Sequence, residues 1–136
     1  MIQALRAVPA VLIMLTSIYL SSLPKIEAMP AFWNADKLVH LVCFGGFAFW
    51  VAFAMSAPLA RRRLTRALWL APVLFIAAYG AVDEFHQSFT PGRSCSVPDW
   101  CADAVGGAIG SYAHGLLLFS KWRVGRYWRA FAGVEG

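Results

Sequence analysis

The sequence predicts an all-α membrane protein, a bundle of four transmembrane helices with both termini cytoplasmic. Three observations carry that prediction. The chain is 60% hydrophobic and 14% charged, against roughly 45–50% and about 25% in soluble domains. Four long apolar stretches are almost free of ionisable residues. The basic residues fall in blocks between and beside those stretches. With 136 residues, the chain is sized for one domain, taken here as residues 1–136.

The expected spans cover about 7–23, 38–60, 67–87 and 101–120, each near the ~20 residues needed to cross hydrocarbon. The first begins after one basic residue, Arg6, and ends at Leu23-Pro24, which also suits a signal peptide. Ile26-Glu27-Ala28 is a poor cleavage site, so an uncleaved helix is expected. The third is apolar to Val82 and then turns acidic. The fourth carries Gly106, Gly107 and Gly110. Gly106 and Gly110 have the small-xxx-small spacing that lets helices approach closely, and packing within the chain is expected of them. Residues 121–136 form a basic, aromatic tail, with Lys121, Trp122, Arg123, Arg126, Tyr127, Trp128 and Arg129 suited to an anionic lipid surface.

Orientation follows from the basic residues. Arg6, the 61–66 block and the 121–129 block hold nine Lys/Arg on one side, and Lys25, Lys37 and Arg93 hold three on the other. The richer side is cytoplasmic. Basic blocks can also serve nucleic acid, but blocks that flank apolar spans are read as topology signals, so no nucleic-acid partner is expected. Six of the seven carboxylates then lie on or near the outer side: Glu27, Asp36, Asp83, Glu84, Asp99 and Asp103.

Part of this outer cluster has a plain structural reading. Asp36 suits a first helical turn, where it complements the helix dipole, and Asn34 could cap the same helix. Ser96-Val97-Pro98-Asp99 fits a capping box. Asp103 stands one turn deeper than a cap requires. His40 is four residues from Asp36 and one turn into its span; it is either a packed histidine or a proton carrier or ligand.

Asp83 and Glu84 are the sharpest case. They stand at the C-terminal end of a helix, where carboxylates are disfavoured. Counted from residue 67, Asp83 lies about 24 Å along the helix, at acyl-chain level or just below the headgroups. The pair therefore requires a partner: Arg93, Lys37, His40, a metal ion, or each other with a shared proton. Gln87 extends their face. Pro91-Gly92 turns the chain and leaves Arg93 among acids, as an ion-pair donor or a phosphate clamp. His114, deeper in the fourth span, is read as a packed histidine. Cys43 reads as a small hydrophobe; Cys95 and Cys101 could pair only in an oxidising compartment.

Asp83, Glu84, His40 and Asp99 are thus the candidate catalytic groups, and Arg93, Gln87, Asp36, Lys37 and Asp103 the candidate binding groups. A divalent cation is compatible with the acids, but no spacing names a metal or cofactor, and no nucleophile motif names a reaction. An enzyme and a non-catalytic protein held by interhelical ion pairs both remain open. A transporter fits less well, since four spans are few and no acidic path reaches the cytoplasmic side.

The ordered set Asp36-Lys37-x-x-His40, Asp83-Glu84-x-x-Gln87, Pro91-Gly92-Arg93 and Ser96-x-x-Asp99, followed by a glycine-rich helix, resembles the VanZ-like family over about 36–110. That family usually has Asn four residues after the loop Asp; here Asp103 stands there. The resemblance implies a multi-pass protein of the bacterial cytoplasmic membrane, its polar motifs extracytoplasmic, in a family whose namesake is associated with teicoplanin resistance. It brings no settled reaction. The expected partners are the lipid bilayer and an anionic envelope lipid or cell-wall precursor.

Overall fold

The computed structural model describes the backbone of residues 2–24, 35–61 and 65–131, and the side chains of 4–24, 35–56 and 69–120. The described residues form four helices and no strand: α1 Ile2–Ser21, α2 Ala35–Arg61, α3 Thr65–Gln87 and α4 Val97–Phe131. Each corresponds to one predicted span, α1 ending two residues before the expected end of the first. Helices are the economical answer for chains this apolar, because every backbone N–H and C=O is satisfied within its own segment. Asn34, Glu27 and the basic loop at 62–64 lie outside the described residues, as do the tail's side chains.

One boundary differs from expectation. The fourth helix does not stop near Ser120 but continues to Phe131, 35 residues in all, or about 52 Å. No proline interrupts the basic-aromatic stretch, and cationic residues near a helix C-terminus suit its dipole. The tail is therefore a continuation of α4 rather than a separate segment.

α2 is the hub. It packs most extensively on α4 and also touches α3 and α1, while α1 reaches only α2 and α3 among the described residues. The α2–α4 contact is close because glycine removes side chains where the backbones meet. A Cβ on Gly106 would collide with the Leu41 carbonyl oxygen, and one on Gly110 with the Gly45 carbonyl oxygen. The small-residue spacing thus serves packing within the chain. Phe44, Phe47, Ala48, Val51 and Ile76 form the core with Ala10 of α1. Tyr79 closes an aromatic cluster, its ring centroid 5.2 Å from Phe47 and 6.0 Å from Phe44. His114 is buried, with edge contacts to Phe49 and Phe53, as a packed histidine should be.

The outer surface has the reverse character of a soluble bundle. Leu12 and Leu15 on α1, Val42 on α2, Leu74 and Val82 on α3, and Ile109 and Leu117 on α4 are exposed, whereas Asp83, Glu84, Gln87 and Asp103 are buried. Among the described residues, two helices contain segments long and apolar enough to cross a membrane, Ala4–Ser21 and Ala35–Ser56. At the end of the bundle far from the polar residues, Arg6 donates to the Phe53 carbonyl (2.6 Å) and to Ser56 Oγ (2.8 Å) and lies over the Phe53 ring. This clasp makes α1 and α2 antiparallel.

Candidate functional site

The polar segments converge at one end of the bundle. Asp36 and His40 start α2, Asp83 through Gln87 end α3, and Asp99 and Asp103 start α4. A short loop joins α3 to α4. Its Arg93 N–H bonds the Thr90 carbonyl at 3.1 Å, and Gly92 has φ of 76°. Proline followed by a positive-φ glycine is the pattern of a type II turn. The loop feeds α4 through its expected cap: the Asp99 N–H donates to Ser96 Oγ at 3.3 Å.

Asp83 and Glu84 do not share a proton, because consecutive helical residues point about 100° apart. They serve different neighbours. Asp83 accepts from Ser21 Oγ of α1 at 2.7 Å and from Gln87 Nε2 at 2.9 Å. Both donors are neutral groups. Ser21 is a residue that sequence reasoning missed; the only signal was a serine at the end of an apolar span. Thr90 was missed too. Its hydroxyl donates to the Ser21 carbonyl at 3.0 Å, satisfying a carbonyl at the end of α1.

Glu84 faces α2 and α4. Its Oε2 accepts the Ser96 N–H at 2.6 Å, and its Oε1 lies 4.0 Å from His40 Nδ1. His40 Nδ1 is also 2.8 Å from Asp103 Oδ1. Asp103 is fully buried and Glu84 is 2% exposed. Two further carboxylate oxygens there, Glu84 Oε1 and Asp103 Oδ2, are buried without a hydrogen-bond partner. His40, Glu84 and Asp103 thus bring three helices to one point, with potential ligand atoms all within 4.8 Å of one another. His40 stacks on Phe44, which sets its ring plane.

The remaining predicted residues stand around this centre. Lys37 bridges Asp36 (2.9 Å) and Asp99 (3.0 Å), a partly exposed ion-pair network at the rim. Asp36 and Asp99 are thereby committed to Lys37, not to His40. Arg93 makes no ion pair with a carboxylate among the described residues. It donates instead to the Leu23 carbonyl (3.1 Å), the Leu20 carbonyl (3.3 Å) and Gln87 Oε1 (3.2 Å). Of the two sequence readings for Arg93, the ion-pair donor to Asp83 or Glu84 is therefore not what the geometry displays. The guanidinium neutralises the carbonyl end of α1 and retains N–H donors beyond these three bonds. Cys43, Cys95 and Cys101 are exposed and unbridged.

Beside the centre lies a cavity of about 270 Å³ between α1, α2 and α3. Ile13, Leu20, Val39 and Phe44 give it apolar walls, and His40, Asp83, Gln87 and Arg93 give it polar groups. A site of this kind, mostly apolar with a few polar groups, suits a ligand with a greasy body and a polar end.

A family model described as VanZ/LLP1 matches residues 4–119. No curated protein and no solved structure matches the chain. The matched region takes in α2 and α3, most of α1 and α4, and every residue of the polar cluster, and the chain accordingly belongs to the VanZ-like family.

Proposed function

We propose that residues 1–136 form one multi-pass domain of a bacterial cytoplasmic membrane, with four spans, both termini cytoplasmic and the polar cluster extracytoplasmic. There it binds an anionic envelope lipid or lipid-linked cell-wall precursor. The observation that carries this reading is the cavity, where apolar walls meet Arg93. An acyl or polyprenyl chain would lie along Ile13, Leu20 and Phe44, and a phosphate would reach the guanidinium, whose fork matches phosphate oxygens. Exposed apolar residues on all four helices and the nine-to-three division of basic residues support the spans and their direction. By this reading a glycopeptide phenotype, teicoplanin resistance included, would follow from control of such a lipid.

The test is native mass spectrometry of the detergent-purified protein with a polyprenyl phosphate and, in parallel, phosphatidylcholine. The polyprenyl phosphate is expected to be retained selectively, and Arg93→Ala to weaken it at least about tenfold, the loss of one charge-assisted contact. Equal retention of both lipids would sink the proposal.

A second reading is favoured by the bonds themselves. Ser21–Asp83–Gln87 ties α1 to α3, and His40–Asp103 ties α2 to α4. The cluster would then be a structural clasp in a non-catalytic scaffold or interaction protein. It predicts lower melting temperatures for Glu84→Gln and Asp99→Asn. Unchanged melting with lost lipid binding or lost cellular phenotype excludes the clasp.

A further inference from the structure

The His40, Glu84 and Asp103 constellation has a property that neither lipid binding nor helix clasping uses. Two carboxylates and one imidazole face a common point, one from each of α2, α3 and α4. Both carboxylates are at least nine-tenths buried, and each retains one buried oxygen without a partner. The nearby cations are engaged elsewhere: Lys37 with Asp36 and Asp99, Arg93 with Gln87 and two carbonyls. Buried carboxylates are strongly disfavoured unless a proton or a cation offsets them, and His40, in reach of both, can offset at most one of the two.

We infer that His40, Glu84 and Asp103 bind one first-row divalent cation, with a coordination position left open toward the cavity. The ligand set is one nitrogen and two oxygens, which suits Zn²⁺ or Mn²⁺ rather than Ca²⁺ with its six to eight oxygens. Ligands on one such ion stand about 2.0–2.2 Å from the metal, so neighbouring ligand atoms lie roughly 3–3.5 Å apart. The observed separations straddle that range. His40 Nδ1 to Asp103 Oδ1 is 2.8 Å and would open. His40 Nδ1 to Glu84 Oε1 is 4.0 Å and would close. Both adjustments are about half an ångström, within the reach of side-chain torsions.

The surroundings are built for orientation. The Ser96 N–H holds Glu84 Oε2, directing the unpartnered Oε1 at His40, and Phe44 fixes the imidazole plane. Such outer contacts ordinarily set ligand geometry in metal sites. Gly80 leaves room for Asp103: a Cβ there would stand 2.9 Å from Asp103 Oδ2. His40 also lines the cavity, so a three-ligand ion would meet water or an anionic oxygen on that side.

The inference goes beyond lipid binding and is tested with the metal alone. Chelator-treated full-length protein in detergent is titrated into Mn²⁺, and the free-ion electron paramagnetic resonance signal is followed. Mn²⁺ prefers oxygen and nitrogen to thiolate, which keeps the three cysteines out of the count. The expected result is one ion per chain, displaced by Zn²⁺ and unaffected by equimolar Ca²⁺. Glu84→Gln and Asp103→Asn are each expected to weaken uptake at least about tenfold, and Ser120→Ala, at an exposed position that bonds only its own helix, to leave it unchanged. If a variant loses its helical circular dichroism, the wild-type chain decides: added Mn²⁺ must raise its melting temperature, as any ligand selective for the native state does. Absence of wild-type uptake at about a hundredfold excess over micromolar protein overturns the site, as does undiminished uptake in a folded Glu84→Gln variant.

Discussion

Exchanging one hydrogen for a methyl group at two glycines should move stability in opposite directions. Residue 106 lies where α2 and α4 come closest. A Cβ there meets the Leu41 carbonyl oxygen and stands 3.1 Å from the Gly45 amide nitrogen. Both obstacles are backbone and cannot rotate aside, so α4 must shift away from α2. Overpacking costs about 1–3 kcal/mol, and a clash with backbone that cannot yield belongs in the upper part of that range, about 2–3 kcal/mol. Alanine is the better helix former by about 1 kcal/mol, which offsets part of that, leaving a net loss of about 1–2 kcal/mol. For a chain of this size the expected fall in melting temperature is about 3–6 °C. Gly46, on the exposed side of α2, has nothing within 4 Å of its would-be Cβ. There only the propensity term acts, and Gly46→Ala should gain up to about 1 kcal/mol, or about 2–4 °C. Asp103 stands one turn before Gly106, so the same displacement should stretch its 2.8 Å contact with His40. The assay is thermal unfolding of both variants in one detergent, followed by tryptophan fluorescence. Gly106→Ala melting at or above wild type would refute the backbone-contact argument.

Three other outcomes are expected. Asp83→Ala leaves Ser21 Oγ and Gln87 Nε2 buried without their acceptor, a loss of about 1–3 kcal/mol; Asp83→Asn keeps a carbonyl acceptor and should lose clearly less, and equal melting of the two variants would contradict the assigned bonds. Lys37→Met removes a partly exposed bridge, so its small destabilisation should shrink between about 0.1 M and about 1 M salt, as the Debye length falls from about 10 to about 3 Å; a salt-independent effect would mean that Lys37 acts through packing. Cys95 and Cys101 are exposed beside the polar cluster, so a membrane-impermeant maleimide should label them in intact cells, and labelling only after the membrane is opened would reverse the proposed orientation.

The four helices were legible because their cause is local. Apolar length and internally satisfied backbone hydrogen bonds decide each one without reference to the others. Their ends were less so: α4 runs past Ser120 to Phe131, since the change from apolar to basic residues ends an apolar stretch but not a helix. Half of the capping box at Ser96 and Asp99 was also readable, because a cap spans only a few residues: Ser96 Oγ takes the Asp99 N–H, but the Ser96 N–H goes to Glu84 and the Asp99 carboxylate to Lys37. Arg93 was not. It lies in the loop between Glu84 and Asp99, yet it bonds to carbonyls of α1 about seventy residues earlier, and no local rule connects them.

The treatment of Asp83 and Glu84 as one pair illustrates the same limit. The sequence by itself determined that two carboxylates stand at an unfavourable helix end and require compensation, because burial and the helix dipole act on any chain with that pattern. It also determined that the acidic motifs share one end of the bundle, because helices that alternate in direction bring every second connection together. Only the tertiary structure decided the partners. The 100° turn between adjacent helical residues sends Asp83 to Ser21 of α1 and Glu84 to His40 and Asp103. Which neighbour each meets depends on the rotation of every helix about its axis, and that is set by close backbone contacts such as Gly106 against Leu41, a property of two surfaces together rather than of either stretch of sequence.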